Sequence, residues 1–204
     1  GISPANEKLI NGIVADGYIS SALVFIDKNG NYSLDSDENY TYTDTNGRFK
    51  DLIYTEGTLI AFGGYDSDTS NFLGRFSLYT KLSTYRENVM ITPITSVAAS
   101  LNIPNDINKF LGIDPSIDIF SVDPVANKSK DDKHKFLYEK GNQIAILAHS
   151  QQTLIDEFNG SSSNTNDYYK IISDNLLSKY IENENQAVDI EQSVFIENIV
   201  GHSV

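Results

Sequence analysis

The chain has 204 residues, 40% of them hydrophobic and 21% charged, enough to bury one ordinary core or two small ones, and a composition that argues against wholesale disorder. Asp and Glu outnumber Lys and Arg by 28 to 15, and the formal net charge of −13 repels phosphate backbones and anionic lipid headgroups, so neither nucleic acid nor membrane insertion is expected. Cysteine is absent, which excludes disulfides, thiolate zinc sites and cysteine nucleophiles, and no apolar run approaches the roughly 18 residues of a membrane span.

The start, Gly1-Ile2-Ser3-Pro4, has neither the basic nor the apolar region of a signal peptide, and the chain reads as a part cut from a longer precursor. Residues 6–13 are too brief to assign, and Val14-Ala15-Asp16-Gly17-Tyr18-Ile19 reads as an edge strand and turn. β-Branched and aromatic residues then recur in short runs at 22–26, 40–43, 48–53, 58–62 and 75–79, separated by Asp, Asn and Gly. Asp44-Thr45-Asn46-Gly47 and Gly63-Gly64-Tyr65-Asp66 are turn signals, because Gly and Asn accept the positive φ of tight turns. This alternation of strand and turn predicts an antiparallel sandwich.

From Thr92 onward the apolar spacing becomes helical. Thr92-Pro93 opens a helix to about Leu101, with Thr as its cap and Pro preset for the first helical position. Asn105 is placed to cap a second short helix through Ile107, Phe110 and Leu111, which Gly112 ends. After a Pro-punctuated stretch, 113–124, a long helix from about Asp131 to Phe158 presents Phe136, Leu137, Ile144, Leu147, Leu154, Ile155 and Phe158, with Gly141 as its weak point. Residues 160–166 read as a flexible Ser/Asn loop. Two further helices are expected, over 167–181 through Tyr168, Ile171, Ile172, Leu176 and Tyr180, and over 189–200 through Ile190, Val194 and Ile199. The expected fold class is therefore α+β, with an antiparallel β-sandwich over 1–91 followed by an α-helical unit over 92–204.

The chemistry concentrates in residues 27–38. Ca²⁺ takes six to eight oxygens, and a twelve-residue loop supplies them from positions 1, 3, 5, 7, 9 and 12 as the chain wraps the ion. Those positions here are Asp27, Asn29, Asn31, Ser33, Asp35 and Glu38, with Ser33 offering its backbone carbonyl and Glu38 both carboxylate oxygens. Leu34 can anchor the loop to the core. An EF-hand loop has Gly at position 6, whereas this chain has Tyr32 there and Gly30 two residues earlier, and the loop is entered from a β-like run and not from a helix. The pattern predicts a strand-loop-strand Ca²⁺ site, against the plainer reading of a polar surface hairpin.

The run Phe25-Ile26-Asp27-Lys28-Asn29-Gly30-Asn31, then Asp35, Glu38 and Tyr42-Thr43-Asp44-Thr45-Asn46-Gly47-Arg48-Phe49, resembles the Ca²⁺-binding B-type repeats of bacterial surface adhesins. Those repeats are similar to a prealbumin-like sandwich, related to collagen-adhesin B and carboxypeptidase-regulatory modules. The onward order Gly63-Gly64-Tyr65-Asp66-Ser67-Asp68-Thr69, Ile91-Thr92-Pro93-Ile94-Thr95, Leu111-Gly112-Ile113-Asp114 and Val122-Asp123-Pro124-Val125-Ala126 is similar to a longer unit of very large repetitive bacterial exoproteins. The resemblance spans about residues 25–130. It implies a structural or adhesive role at the bacterial surface, outside the cell, with no cofactor beyond Ca²⁺ and with neighbouring modules of the same polypeptide as partners.

Asp66 and Asp68 can hold a second ion, complete the first from a neighbouring loop, or simply form a polar hairpin, and Asp44 can add a ligand at the same end of the sandwich. Asp16 is a lesser candidate of the same kind. His134, His149 and His202 are too far apart for a short-range metal motif, and neither a Gly-x-Ser-x-Gly elbow nor a phosphate-binding glycine motif occurs, so no enzyme is expected. Two other readings stay open. Twelve tyrosines, among them Tyr40, Tyr42, Tyr54, Tyr65 and Tyr79, can serve a glycan- or peptide-binding surface, with a host or environmental glycan or protein as partner, or fill a core. Paired carboxylates suit a hydrolase, and the Asp114-Pro115 and Asp123-Pro124 bonds suit Ca²⁺-triggered self-cleavage or plain helix punctuation.

Overall fold

The structure, a computed structural model, describes residues 6–101, 106–159 and 165–190. It is a mixed α+β fold. In chain order the strands are β1 (Leu9–Val14), β2 (Ile19–Ser20), β3 (Leu23–Asp27), β4 (Tyr40–Tyr42), β5 (Arg48–Ile53), β6 (Thr58–Phe62), β7 (Tyr65–Asp66), β8 (Ser77–Lys81) and β9 (Asn88–Ile91). The helices are α1 (Pro93–Ala99), α2 (Ile107–Leu111), α3 (Asp132–Asn159) and α4 (Thr165–Glu182).

The strands form a four-stranded antiparallel sheet in the order β4-β3-β6-β8, a three-stranded sheet β5-β1-β9, and a small pair β2-β7. Val24, Phe25 and Ile26 are all buried, so β3 has both faces covered and reads as a continuous apolar run. One cluster of buried side chains takes in Val24, Ile60 and Tyr79 from the strands and Val97, Leu137, Tyr169 and Leu176 from the helices.

The first strand departs from expectation. Residues 9–13, too brief to assign from sequence, form with Val14 the central strand of their sheet, with β5 antiparallel on one side and β9 parallel on the other, and the edge strand expected over 14–19 divides into the end of this strand, a turn bridged by Ala15 and Tyr18, and the start of β2. The alternation that would reveal β1 is interrupted at Asn11-Gly12, where the register against β5 slips. Gly12 is required there by close approach: a Cβ would lie 2.5 Å from the Phe49 ring and 2.6 Å from the Val89 carbonyl oxygen. Strand β8 also sits two residues later than the run at 75–79, and Tyr65–Asp66, expected in a turn, pairs with β2.

The helix signals act as local chemistry requires. The Thr92 hydroxyl accepts the Thr95 N–H at 3.1 Å while Thr95 Oγ1 accepts the Thr92 N–H at 2.9 Å, a reciprocal cap that opens α1 with Pro93 in its first turn. Gly112 closes α2 at φ 73°, whereas Asp106 stands at its start without a side-chain cap. Asp131 caps α3 by accepting the His134 N–H at 2.9 Å. That helix runs unbroken through Gly141, where an added Cβ would meet only Ile94 of α1, at 3.9 Å. The expected cap Asn105, residues 160–164 of the Ser/Asn loop and residues 191–200 of the last expected helix lie outside the described residues. Among the described residues no helix is long and apolar enough to cross a membrane.

Candidate metal centre

Strand β3 ends on Asp27, whose side chain is carried into the fold by the preceding apolar run and is only 2% exposed. Its Oδ1 accepts the Gly30 N–H at 2.9 Å and its Oδ2 the Tyr32 N–H at 3.0 Å. At the other end of the loop Glu38, 6% exposed, accepts the Lys28 N–H on Oε1 at 2.8 Å and the Asp35 N–H on Oε2 at 3.0 Å. Two nearly buried carboxylates thus each gather two backbone donors, which is what allows them to lie out of water.

Between them three side chains converge. Asn29 Nδ2 and Asn31 Nδ2 both donate to Asp35 Oδ2, at 2.7 and 2.8 Å, while the two amide oxygens accept the Asn31 and Ser33 N–H groups at 3.1 and 2.9 Å. On the outside, Lys28 Nζ reaches Asp37 Oδ2 at 2.8 Å, and this hydrogen bond holds the Asp37 carboxyl below the usual carboxylate range. The chain turns with Gly30 at φ 77° and Tyr32 at φ 59°. Leu34 does not anchor the loop, since it is 36% exposed. Tyr32 takes that role, setting its ring edge-on to Tyr79 at 5.7 Å.

This donor set suits a hard cation: Asp27, Asp35 and Glu38 bring carboxylates, Asn29 and Asn31 amide oxygens, and Ser33 a carbonyl, with no nitrogen or sulfur ligand among them. Each amide carries its oxygen and NH₂ on one carbon, so half a turn about the last side-chain bond would face its oxygen to the Asp35 carboxylate, an arrangement only a cation between the two oxygens favours, at the cost of the backbone N–H that oxygen accepts. Among the described residues no three His, Cys, Asp or Glu side chains form a group able to hold a metal. Asp27, Asp35 and Glu38 are three acids, and they do not come together as such a group.

Asp44, Asp66 and Asp68 belong to the other end of the sheet. Asp27 pairs with Thr58 and Leu23 with Phe62, so the loop leaves β3 where β6 begins, and residues beyond Phe62 lie a strand length away, about 13 Å at 3.3 Å per residue. Asp44 follows β4 at that far end, because Tyr42 also pairs with Leu23. The register thus sets Asp66 and Asp68 too far away to complete the shell of the loop, and places Asp44 at their end of the sheet. Asp44 Oδ1 instead accepts the N–H groups of Asn46 and Arg48 at 2.8 and 3.0 Å, and the Arg48 N–H foremost keeps its carboxyl low. Asp66 and Asp68 are brought together: a Cβ on Gly17 would lie 3.2 Å from an oxygen of each. Asp16 turns to His149, whose Nε2 is 3.0 Å from its Oδ2 and whose ring stacks on Phe76 at 3.8 Å.

Asp114 and Asp123, which precede prolines, hold turns: Asp114 Oδ1 accepts the Ser116 N–H at 2.9 Å and Asp123 Oδ1 the Val125 N–H at 2.9 Å. Asp123 Oδ2 also accepts the Tyr18 hydroxyl at 2.8 Å, a contact across 105 residues with no local signature. Burial first, then that hydrogen bond and the Asp123 charge, push the Tyr18 hydroxyl up to about 12.

Tyrosine use is mixed. Tyr79 is buried, whereas Tyr40 and Tyr42 are 57% and 60% exposed and meet edge-to-face at 6.1 Å. The register aligns Tyr42, Leu23 and Phe62 across three neighbouring strands, with Phe62 also exposed. No protein-family model, curated protein or solved structure matches the chain.

Proposed function

We propose that the chain is a non-catalytic, Ca²⁺-binding module of a large bacterial surface or secreted protein, working outside the cell as an adhesive or spacing unit beside neighbouring modules of the same polypeptide. The observation that carries this reading is the arrangement of Asp27 and Glu38, two nearly buried carboxylates at the ends of a loop in which alternate residues from Asp27 to Asp35 bear side-chain oxygens. Bound Ca²⁺ supplies the positive charge that offsets repulsion among Asp27, Asp35 and Glu38, with oxygens of Asn29, Asn31 and Ser33 completing the set. Because β4 is an edge strand, ordering the loop that enters it stiffens the margin of the sheet.

In the same reading the sheets β4-β3-β6-β8 and β5-β1-β9 are the layers of a prealbumin-like sandwich resembling the adhesin B-type repeats, and residues 92–204 are its helical unit. Contacts of β6 and β8 with β9 support the layering. Asp66 and Asp68 at Gly17 are read as a separate ion site.

Calcium titration calorimetry with thermal melts tests the proposal. Binding at a hundredfold excess over Kd is expected to raise Tm by about 5–10 °C, and Asp27→Asn with Glu38→Gln to abolish the heat. No heat from the wild type, together with a melt unchanged by chelator, overturns it.

A second reading, a glycan- or peptide-binding surface, is favoured by the exposure of Tyr40, Tyr42 and Phe62 on one face, since exposed aromatic rings stack on sugars and apolar side chains. Tyr40→Ser with Tyr42→Ser is then expected to remove retention on a glycan or peptide array while leaving the melt intact. Retention of nothing by the wild type removes this reading.

A further inference from the structure

We infer that Tyr32 is a positioning residue that couples the metal loop to helix α4, so that calcium tightens the helical half of the molecule as well as the loop; this rests on the Ca²⁺ reading above. The argument starts from backbone strain. A left-handed conformation disfavours any residue with a Cβ, and an aromatic residue is an unusual choice at the position where Ca²⁺ loops use glycine. Tyr32 nevertheless adopts φ 59°. Two contacts hold it there. Its N–H is bonded to Asp27 Oδ2, and its ring meets Tyr79 at 5.7 Å with the planes 85° apart.

Tyr79 then meets Tyr169 of α4 in the same way, at 5.7 Å and 85°. Tyr79 and Tyr169 are fully enclosed in the core, and the Tyr79 backbone is fastened to α1: its N–H donates to Ser96 Oγ at 2.8 Å and its carbonyl accepts from Thr95 Oγ1 at 2.8 Å. With its backbone fastened and its ring enclosed, Tyr79 has little room to yield when the ring set edge-on to it shifts, so displacement of Tyr32 is passed to Tyr169. The same Asp27 carboxylate is both an expected ligand and the acceptor for Tyr32. A cation on Asp27 therefore steadies the turn that presents the Tyr32 ring, and by linkage a well-seated ring favours the cation equally.

The experiment is hydrogen exchange by mass spectrometry on the full chain, with calcium chloride or chelator, run beside calorimetry on wild type, Tyr32→Phe and Tyr32→Gly. Tyr32→Phe keeps the ring, and Tyr32→Gly restores the loop residue that the turn prefers while removing the ring. In wild type and Tyr32→Phe, calcium is expected to slow exchange in the loop and, about two- to tenfold, in α4, the range an aromatic contact supplies. In Tyr32→Gly calcium should still bind and slow the loop, but exchange in α4 should no longer respond. With chelator present, α4 should already exchange faster in Tyr32→Gly than in Tyr32→Phe.

Calorimetric binding with no calcium response of α4 in the wild type overturns the coupling and leaves the metal reading standing. Absence of binding overturns both. Equal α4 exchange in the two variants without calcium removes the aromatic connection itself.

Discussion

The Ser173 hydroxyl of α4 lies between two carbonyl oxygens it can donate to, that of Tyr169 one turn back at 2.7 Å and that of Val97 in α1 at 2.9 Å, 76 residues earlier in the chain. Both residues are buried, so this contact and the adjoining aromatic contacts join α4 to α1, the helix packed against β8. Ser173→Ala removes one buried hydrogen bond worth about 1 kcal/mol, and a drop in Tm of about 2–4 °C by calorimetry is the expected result.

The loop carboxylates are a harsher test of the fold. Asp27→Asn or Glu38→Gln turns an NH₂ toward a backbone donor that a carboxylate oxygen now accepts. Each is expected to cost about 1.5–3 kcal/mol even with chelator present, measured by urea unfolding. Asn29→Ala and Asn31→Ala, on the exposed side of the loop, should leave chelated stability nearly unchanged and weaken calcium binding, read by titration calorimetry.

Gly12→Ala places a methyl group against the Phe49 ring and the Val89 carbonyl oxygen, where β1 lies between β5 and β9. Neither neighbour can retreat without disturbing the sheet, and overpacking of this kind costs about 1–3 kcal/mol. The melt should fall accordingly, with α3 and α4 still giving their far-ultraviolet dichroism.

Tyr18 sets an alkaline signature. Its hydroxyl is raised in the folded chain to about 12 from an unfolded value of 10.0, so its contribution to stability is complete below pH 10.0 and is lost as pH climbs from there through about 12. Burial also holds the Tyr169 hydroxyl well above the ordinary tyrosine value, so a titration followed by tyrosinate absorbance should show late groups, of which Tyr18→Phe removes the one near 12 and leaves Tyr169. That variant should also lose less stability over the same pH interval than the wild type does.

Much of the architecture is readable residue by residue. Thr92-Pro93 announces α1, Gly112 ends α2, and the apolar spacing from Phe136 to Leu154 marks α3, because caps, glycine conformations and 3.6-residue periodicity act over a few bonds. β1 escaped for an equally local reason: Asn11-Gly12 interrupts its alternation at the register slip, and its parallel partner lies more than seventy residues onward. Within the candidate site the oxygen-bearing pattern from Asp27 to Glu38 is visible in the chain alone. The anchor is not, because Leu34 and Tyr32 are both apolar enough to serve and only the direction of the turn selects Tyr32.

By itself, then, the sequence determined the local matters: an acidic, cysteine-free chain, short strands giving way to helices near residue 92, and an oxygen-rich loop after β3. Only the tertiary structure decided that Asp44, Asp66 and Asp68 stand at the opposite end of β3 from that loop, that Tyr18 finds Asp123, and that Tyr79 links Tyr32 to Tyr169. Turn and helix preferences are set by neighbours along the backbone, whereas strand register and side-chain packing are set by residues that meet only after the chain has collapsed, and those encounters leave no trace in spacing.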